Sequence, residues 1–213
     1  MKRLFQWHTT AVPNDDSIPS ARRTELLERA YRYVLDNGLS ALSLRPLAQA
    51  VGSSPRVLLY LFGSKDGLVR ALLARARADQ MALLEEVRAQ PDDADAGPAV
   101  LGGRLWTWLS AEERRPLLAL WAEGYARSLV EQGGPWAEFG RSTVRDWLDA
   151  LNLALPAAQR DTPAARAACT LTLAVLRGAL LDLLATGDLD RTTAAVRGYL
   201  DSMDGAGTSR SKR

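Results

Sequence analysis

Apolar residues recur along most of this chain at intervals of three and four positions, the spacing of one face of an α-helix. No convincing run alternates apolar and polar residues as a half-buried strand does. The pattern therefore predicts an all-α fold of about nine helices, with a short turn at 111–114. The expected helices are 20–37, 44–51, 55–62, 65–89, 99–109, 115–132, 136–153, 164–186 and 189–203.

Glycine, proline and serine set the expected boundaries of the first helices. Asn37-Gly38 and Gly52 end two of them, because glycine tolerates the left-handed backbone of a helix C-cap. Ser43 and Ser54 are expected N-caps, and Pro55 suits the first turn of the third helix. The acidic, proline-containing segment 90–98 is expected to be a loop between two helical blocks.

The composition argues against several classes of protein. The single cysteine, Cys169, has no internal disulfide partner, and the single histidine, His8, lies in a polar leader. The chain contains no HExxH, CxxC or GxxxxGK[ST] motif. We therefore expect no catalytic residues, no metal site and no cofactor, and the protein is predicted not to be an enzyme.

Charge is unevenly distributed. Residues 20–75 contain nine Lys or Arg and four Asp or Glu, whereas acidic residues exceed basic ones over 76–208. A small basic unit followed by a larger acidic one favours contact of a polyanion with the first unit. A chance distribution of solvated surface charge would give the same count.

Two short helices joined by residues 51–54 within this basic unit have the pattern of a helix-turn-helix. Four apolar residues would brace the second helix against the first: Leu47, Val51, Leu58 and Phe62. Four side chains of the second helix would then remain for a DNA groove or for the supporting face: Arg56, Leu59, Tyr60 and Leu61. An ordinary three-helix corner with a glycine turn fits the same spacing.

The stretch from Thr24 to Leu72 resembles the DNA-binding region of TetR-type transcriptional regulators. The resemblance is most specific over residues 42–68, LSLRPLAQAVGSSPRVLLYLFGSKDGL. Residues 177–188, RGALLDLLATGD, are similar to the end of the dimerising helix in many members. Two residues depart from the family pattern, since Leu59 replaces a common tyrosine and Leu61 a common histidine.

The resemblance implies a homodimeric repressor that binds a palindromic operator in double-stranded DNA and an unknown small-molecule effector. We expect a flexible arm (1–19), a DNA-binding domain (20–66), a ligand-binding and dimerisation domain (67–204) entered by a connecting helix (65–89), and a flexible basic tail (205–213). The residues expected to face DNA are Arg45, Ser54, Arg56, Tyr60 and Lys65.

Helix 164–186 is apolar almost all round and therefore needs burial on two sides. We expect its own bundle on one side and a second subunit on the other. The stripe of the last helix suits the same interface: Leu189, Thr192, Val196, Tyr199, Leu200 and Met203. The most apolar window, 171–185, is shorter than the ~20 residues of a membrane helix and carries Arg177 and Asp182, so no membrane span is expected.

Aromatic residues are concentrated in the second block, and ligand pockets are typically apolar and aromatic. The candidates for the pocket wall are Trp121, Tyr125, Trp106, Phe139 and Trp147, although core packing explains such residues equally well. Trp108 and Trp136 lie beside predicted helix ends, at Ser110 and at residues 133–135, and are candidates for lid or surface positions.

We expect a cytoplasmic protein, because no apolar signal segment follows Lys2 and Arg3. The alternative function is a dimeric helical module that binds a partner or a small molecule but never meets DNA.

Overall fold

A computed structural model describes residues 17–40, 42–89, 98–131 and 133–210. The described chain is all-α, as predicted, with nine α-helices and a single 3₁₀ turn at Glu112–Arg114. The helices are α1 (Ser17–Asn37), α2 (Leu44–Ala50), α3 (Pro55–Phe62), α4 (Lys65–Arg88), α5 (Pro98–Leu109), α6 (Arg115–Val130), α7 (Phe139–Leu153), α8 (Pro163–Thr186) and α9 (Leu189–Arg210).

Helices α1 to α3 form the N-terminal unit, and α4 leads from it into a bundle of α5 to α9. Helix α4 packs against α1 and α3 on one side and against α5, α6 and α7 on the other. Its apolar stripe is buried along the whole length, from Leu68 and Leu72 to Leu83 and Val87. The connecting helix is therefore part of both cores.

Two boundaries differ from the sequence predictions for a physical reason. Helix α7 begins at Phe139 and not at residue 136, because residues 133–138 form turns. Gly134 adopts a φ of +72° there, and the Phe139 amide donates to the carbonyl oxygen of Trp136 at 3.0 Å. Helix α9 continues to Arg210, so the first six residues of the tail expected at 205–213 are helical. The expected arm at 1–19 lies mostly outside the described residues, which begin in α1 at Ser17.

The interface expected for the last helix is also corrected. Most of its apolar stripe faces the interior of the same protomer, where α9 packs against α5 and α8, whereas Leu189 is 45% exposed. Thr192, Val196 and Leu200 are all buried there. Gly102 makes this packing close, since a Cβ at that position would lie 2.8 Å from a methyl group of Leu200.

Helix α8 differs in another way from its expectation. The helix has 24 residues, and by length and composition alone it is long and apolar enough to cross a membrane. The prediction that its apolar stretch is shorter than a membrane helix was therefore wrong on length. Only 28% of its most apolar window is buried inside the protomer. One apolar face of α8 thus remains uncovered by the chain that carries it.

The passage from α3 to α4 depends on a glycine. A Cβ at Gly67 would lie 2.0 Å from the carbonyl oxygen of Phe62, the last residue of α3. Ser64 caps α4 by accepting a hydrogen bond from the Gly67 amide, at 2.9 Å. Close approach of the two helices therefore requires that this position has no side chain.

We expect Gly67→Ala to lower the free energy of unfolding by about 1–3 kcal/mol, because α4 must move away from α3. Thermal unfolding of the whole protein measures the effect. Gly133→Ala is the matched control, since a Cβ at that exposed position meets nothing within 4 Å. An unchanged Tm for Gly67→Ala would contradict the packing argument.

Candidate DNA-contacting surface and bundle cavity

The turn between α2 and α3 is fixed by backbone geometry. Gly52 adopts a φ of +65°, and its amide donates to the carbonyl oxygen of Gln49 at 3.2 Å. The Ser53 amide donates to the carbonyl oxygen of Ala48 at 2.8 Å, which completes a Schellman motif. Four apolar side chains bury the angle between the two helices, as expected: Leu47, Val51, Leu58 and Phe62. The turn therefore holds α3 in one orientation.

Two arginines of α1 add polar support. Arg29 donates to the carbonyl oxygen of Val51 at 3.3 Å, and Arg23 donates to that of Leu61 at 3.3 Å. Each guanidinium thus meets the C-terminal end of a short helix, where a positive charge is favourable. Arg23 also lies 5.1 Å from the ring centre of Phe62. These basic residues support the motif from behind.

The five residues predicted to face DNA are all exposed: Arg45, Ser54, Arg56, Tyr60 and Lys65. Tyr60 has the most exposed large apolar side chain of α3, at 80%. Ser54 also has a structural role, because its hydroxyl caps α3 by accepting from the Val57 amide at 3.3 Å. Among the described residues, no carboxylate pairs with Arg45, Arg56 or Lys65. These three cations are available to an external anion.

Sequence reasoning missed Val57, an exposed residue of this surface. Val57 is 39% exposed and lies on the same face of α3 as Arg56 and Tyr60. The spacing of Val57 from Tyr60 was the available signal, but an apolar residue in a short helix is ordinarily assigned to the core.

The bundle touches the N-terminal unit at a second place besides α4. Glu123 of α6 accepts a hydrogen bond from the Leu39 amide at 2.8 Å and another from the Ser40 hydroxyl. Both donors lie in the loop that leads from α1 to α2. A displacement of α6 would therefore move the loop that leads into α2, the first helix of the helix-turn-helix.

Helices α1 and α4 are also joined by polar side chains. The hydroxyl of Tyr31 donates to Asp79 at 2.7 Å, and Arg75 bridges Asp79 and Glu28. Burial, together with the hydrogen bond to Asp79, raises the pKa of Tyr31 above its ordinary value. Tyr31 therefore stays protonated and remains a donor at any physiological pH.

A cavity of about 60 Å³ lies among α4, α6, α7 and α8. Three of the five predicted pocket residues line it: Trp121, Tyr125 and Trp147. The other predicted wall residues lie elsewhere. Trp106 is buried against α9 and donates to Thr193 at 3.0 Å. Phe139 is buried at the start of α7, where a Cβ on Gly124 of α6 would lie 2.9 Å from its ring.

The two tryptophans expected at lid or surface positions are also placed by the structure. Trp136 is 5% exposed and is covered by the guanidinium of Arg127, 4.8 Å from its ring centre. Trp108 is partly buried and stacks on Trp121 with ring centres 5.9 Å apart. Trp136 is therefore not a surface residue, and one ring face of Trp108 is covered by Trp121.

Polar contacts attach the cavity wall to α4. Arg77 of α4 makes two hydrogen bonds to Asp146 of α7, at 2.6 and 2.7 Å. These bonds raise the pKa of Arg77 above its ordinary value. The Gln80 amide also donates to Asp146 at 3.4 Å, and the Trp121 indole donates to the carbonyl oxygen of Ala76 at 3.2 Å. Both α6 and α7 thus hold the same turn of α4.

Within the described ranges, no group of three or more His, Cys, Asp or Glu residues has the arrangement of a metal site.

Residues 26–72 match the sequence profile of the bacterial regulatory proteins of the tetR family. Over 105 residues the chain is 30% identical to the HTH-type transcriptional regulator BetI of Burkholderia thailandensis. The aligned residues are 48% of this chain and 54% of that protein. The chain thus spans about half the length of the curated relatives it matches.

Solved structures extend the likeness of the fold to most of the chain. A transcriptional regulator from Rhodococcus sp. Rha1 superimposes with a TM-score of 0.69 at 22% identity, over 84% of this chain and 94% of that one. Salmonella enterica GusR superimposes with a TM-score of 0.65 at 20% identity, over 89% and 98%. At these identities the likeness shows that the fold is shared.

Proposed function

We propose that this chain is a cytoplasmic DNA-binding transcriptional regulator of the tetR type, because residues 26–72 match the sequence profile of that family of bacterial regulatory proteins. In this proposal it represses from a palindromic operator as a homodimer, and a small molecule bound in the bundle lowers its affinity for DNA. The observation that carries the proposal is the exposed face of α3, where Arg56, Val57 and Tyr60 stand on a rigidly braced helix.

Each exposed residue suits a different part of the duplex. Arg56 is able to make two hydrogen bonds to guanine O6 and N7, and the methyl groups of Val57 suit the methyl group of thymine. Lys65 lies in the first turn of α4, where its charge and the free backbone N–H groups both attract a phosphate. The DNA-binding domain proposed here covers residues 20–66, with the bundle of 67–204 behind it.

A second copy of the chain is the proposed cover for α8. The exposed face of that helix carries leucines and small residues at helical spacing: Leu171, Ala174, Gly178, Leu181 and Ala185. Leu171 and Leu181 are 54% and 48% exposed in the protomer. The absence of large side chains at three of these positions lets two helices approach closely. A two-fold pair would present its α3 helices about 34–36 Å apart, one turn of B-DNA.

The proposed link between ligand and DNA runs through α4 and α6. Trp121 and Tyr125 of α6 line the cavity, while Glu123 between them holds the loop before α2. A cavity of about 60 Å³ has room for only a few water molecules, so a larger ligand must displace its walls. Displacement of α6 or of the Ala76–Gln80 turn would then reorient the helix-turn-helix.

Binding to duplex DNA selected by the protein from a genomic pool should be sensitive to salt. The logarithm of affinity falls against the logarithm of salt concentration with a slope of about −0.9 per phosphate contact, and Lys65→Ala should make it about one unit shallower. Arg197→Ala, an exposed cation of α9, is the matched control and should leave the slope unchanged. Affinity for DNA that ignores salt would contradict the proposal.

Arg56→Ala should act on sequence preference. We expect it to relax discrimination at one base pair of each half-site by about 1–3 kcal/mol, because a bidentate contact to guanine is lost. Competition binding with duplexes that differ at single positions measures this change, and Lys65→Ala is the comparison that should weaken all duplexes equally. If Arg56→Ala also weakens every duplex to the same extent, Arg56 contacts only phosphate.

Leu171→Arg should convert the dimer to a folded monomer. The side chain is exposed in the protomer, so the new charge is solvated in a monomer but is buried without a partner in the dimer. Sedimentation at micromolar concentration measures the mass. Val130→Arg is the control, because Val130 is 82% exposed and lies on α6. A native chain that sediments as a monomer would refute the dimer.

A further inference from the structure

Three polar atoms that line or border the cavity are buried and have no hydrogen-bond partner in the described part of the chain. They are Oε1 of Gln80, Oγ1 of Thr143 and Nη2 of Arg177. Gln80 is fully buried and Thr143 is 8% exposed. Buried polar atoms are ordinarily hydrogen-bonded, so three unpaired ones at one cavity are groups available to a bound molecule.

Arg177 gives this cavity its charge. Its Nη1 donates to the hydroxyl of Tyr125 at 3.0 Å, and its guanidinium lies 4.5 Å from the ring centre of Tyr125. Within the described residues no carboxylate forms an ion pair with it, whereas Asp146 is engaged by Arg77. The aromatic ring stabilises one face of the cation, and Nη2 is left for an acceptor.

The remaining wall is mostly apolar. Trp121 and Trp147 line it together with leucines 109, 173, 176, 180 and 181. A guanidinium is planar and presents paired N–H groups that match the two oxygens of a carboxylate. A cationic molecule would meet the charge of Arg177 at close range.

We propose that the cavity binds a small carboxylate with an apolar body, whose carboxyl group pairs with Arg177 and whose body lies against Trp121 and Trp147. This deepens the proposed function, because it rests on the bundle cavity being the effector site. Gln80 lies on α4 itself, so a donor group of the ligand that reaches Gln80 Oε1 would contact the connecting helix directly.

The first experiment compares ligands that share a shape and differ in charge. Benzoate, benzamide and benzylamine, and likewise hexanoate, hexanamide and hexylamine, are titrated into the full-length protein by calorimetry. In at least one set the carboxylate should bind at least tenfold more tightly than its amide, which corresponds to about 1.4 kcal/mol, and the amine should bind weakest. This comparison needs no variant.

The second experiment assigns the preference to one residue. Arg177→Met should lower the affinity for the carboxylate at least tenfold and leave affinity for the amide within about twofold, and Arg177→Lys should retain part of the preference. Arg166→Met is the matched control, since Arg166 is an exposed arginine of the same helix. Binding of selected duplex DNA by each variant verifies that it is folded.

Two results would overturn the inference. One is a native protein that binds neither carboxylate, or binds the amide or amine of both sets as tightly as the carboxylate. The other is a carboxylate preference that survives Arg177→Met. The same samples are assayed for binding to duplex DNA, so loss of the ligand class with intact DNA binding leaves the regulator proposal standing. Absence of DNA binding with intact carboxylate binding would refute the regulator and leave the site.

Discussion

Helix α4 must satisfy two cores at once, and this constraint governs the rest of the molecule. Its first half buries Leu68 and Leu72 beneath the helix-turn-helix, and its second half buries Leu83 and Val87 beneath the bundle. Closely packed interiors do not deform smoothly, so α4 cannot slide against one core without disturbing the other. The hydrogen bonds of the Ala76–Gln80 turn are directional, so they also fix the rotation of α4 about its own axis.

Features that depend on neighbours in sequence could be predicted from the sequence. The cap at Ser54, the left-handed Gly52 and the helix break before Lys65 each follow from one residue and its nearest neighbours. The exposed arginines of α2 and α3 follow in the same way, because a short amphipathic helix with one buried face leaves its polar positions outside. Residues 26–72 also match the sequence profile of the tetR family.

Features that depend on which helices meet could not be predicted. Helical period shows that Trp106 and Val196 are buried, but it does not show that α9 is what covers Trp106. For the same reason the sequence pattern predicted a subunit interface for the apolar stripe of the last helix, whereas in the structure α9 packs against α5 and α8. The charge count of residues 20–75 also gave no sign that Arg23 and Arg29 support the motif from behind, since their acceptors are backbone carbonyls far along the chain.

The same geometry sets a limit on how a ligand is able to act. A ligand that shifts DNA occupancy tenfold must favour one arrangement of α4 and α6 by about 1.4 kcal/mol, and DNA must oppose the ligand equally. That amount is comparable with one hydrogen bond to a charged group. Two hydrogen-bonded carboxylates make contacts of this kind. Asp146 accepts from Arg77 and Gln80, and Glu123 accepts from the loop before α2. Changing a single polar contact at the cavity wall is thus energetically sufficient for regulation, and no large rearrangement of the bundle is required.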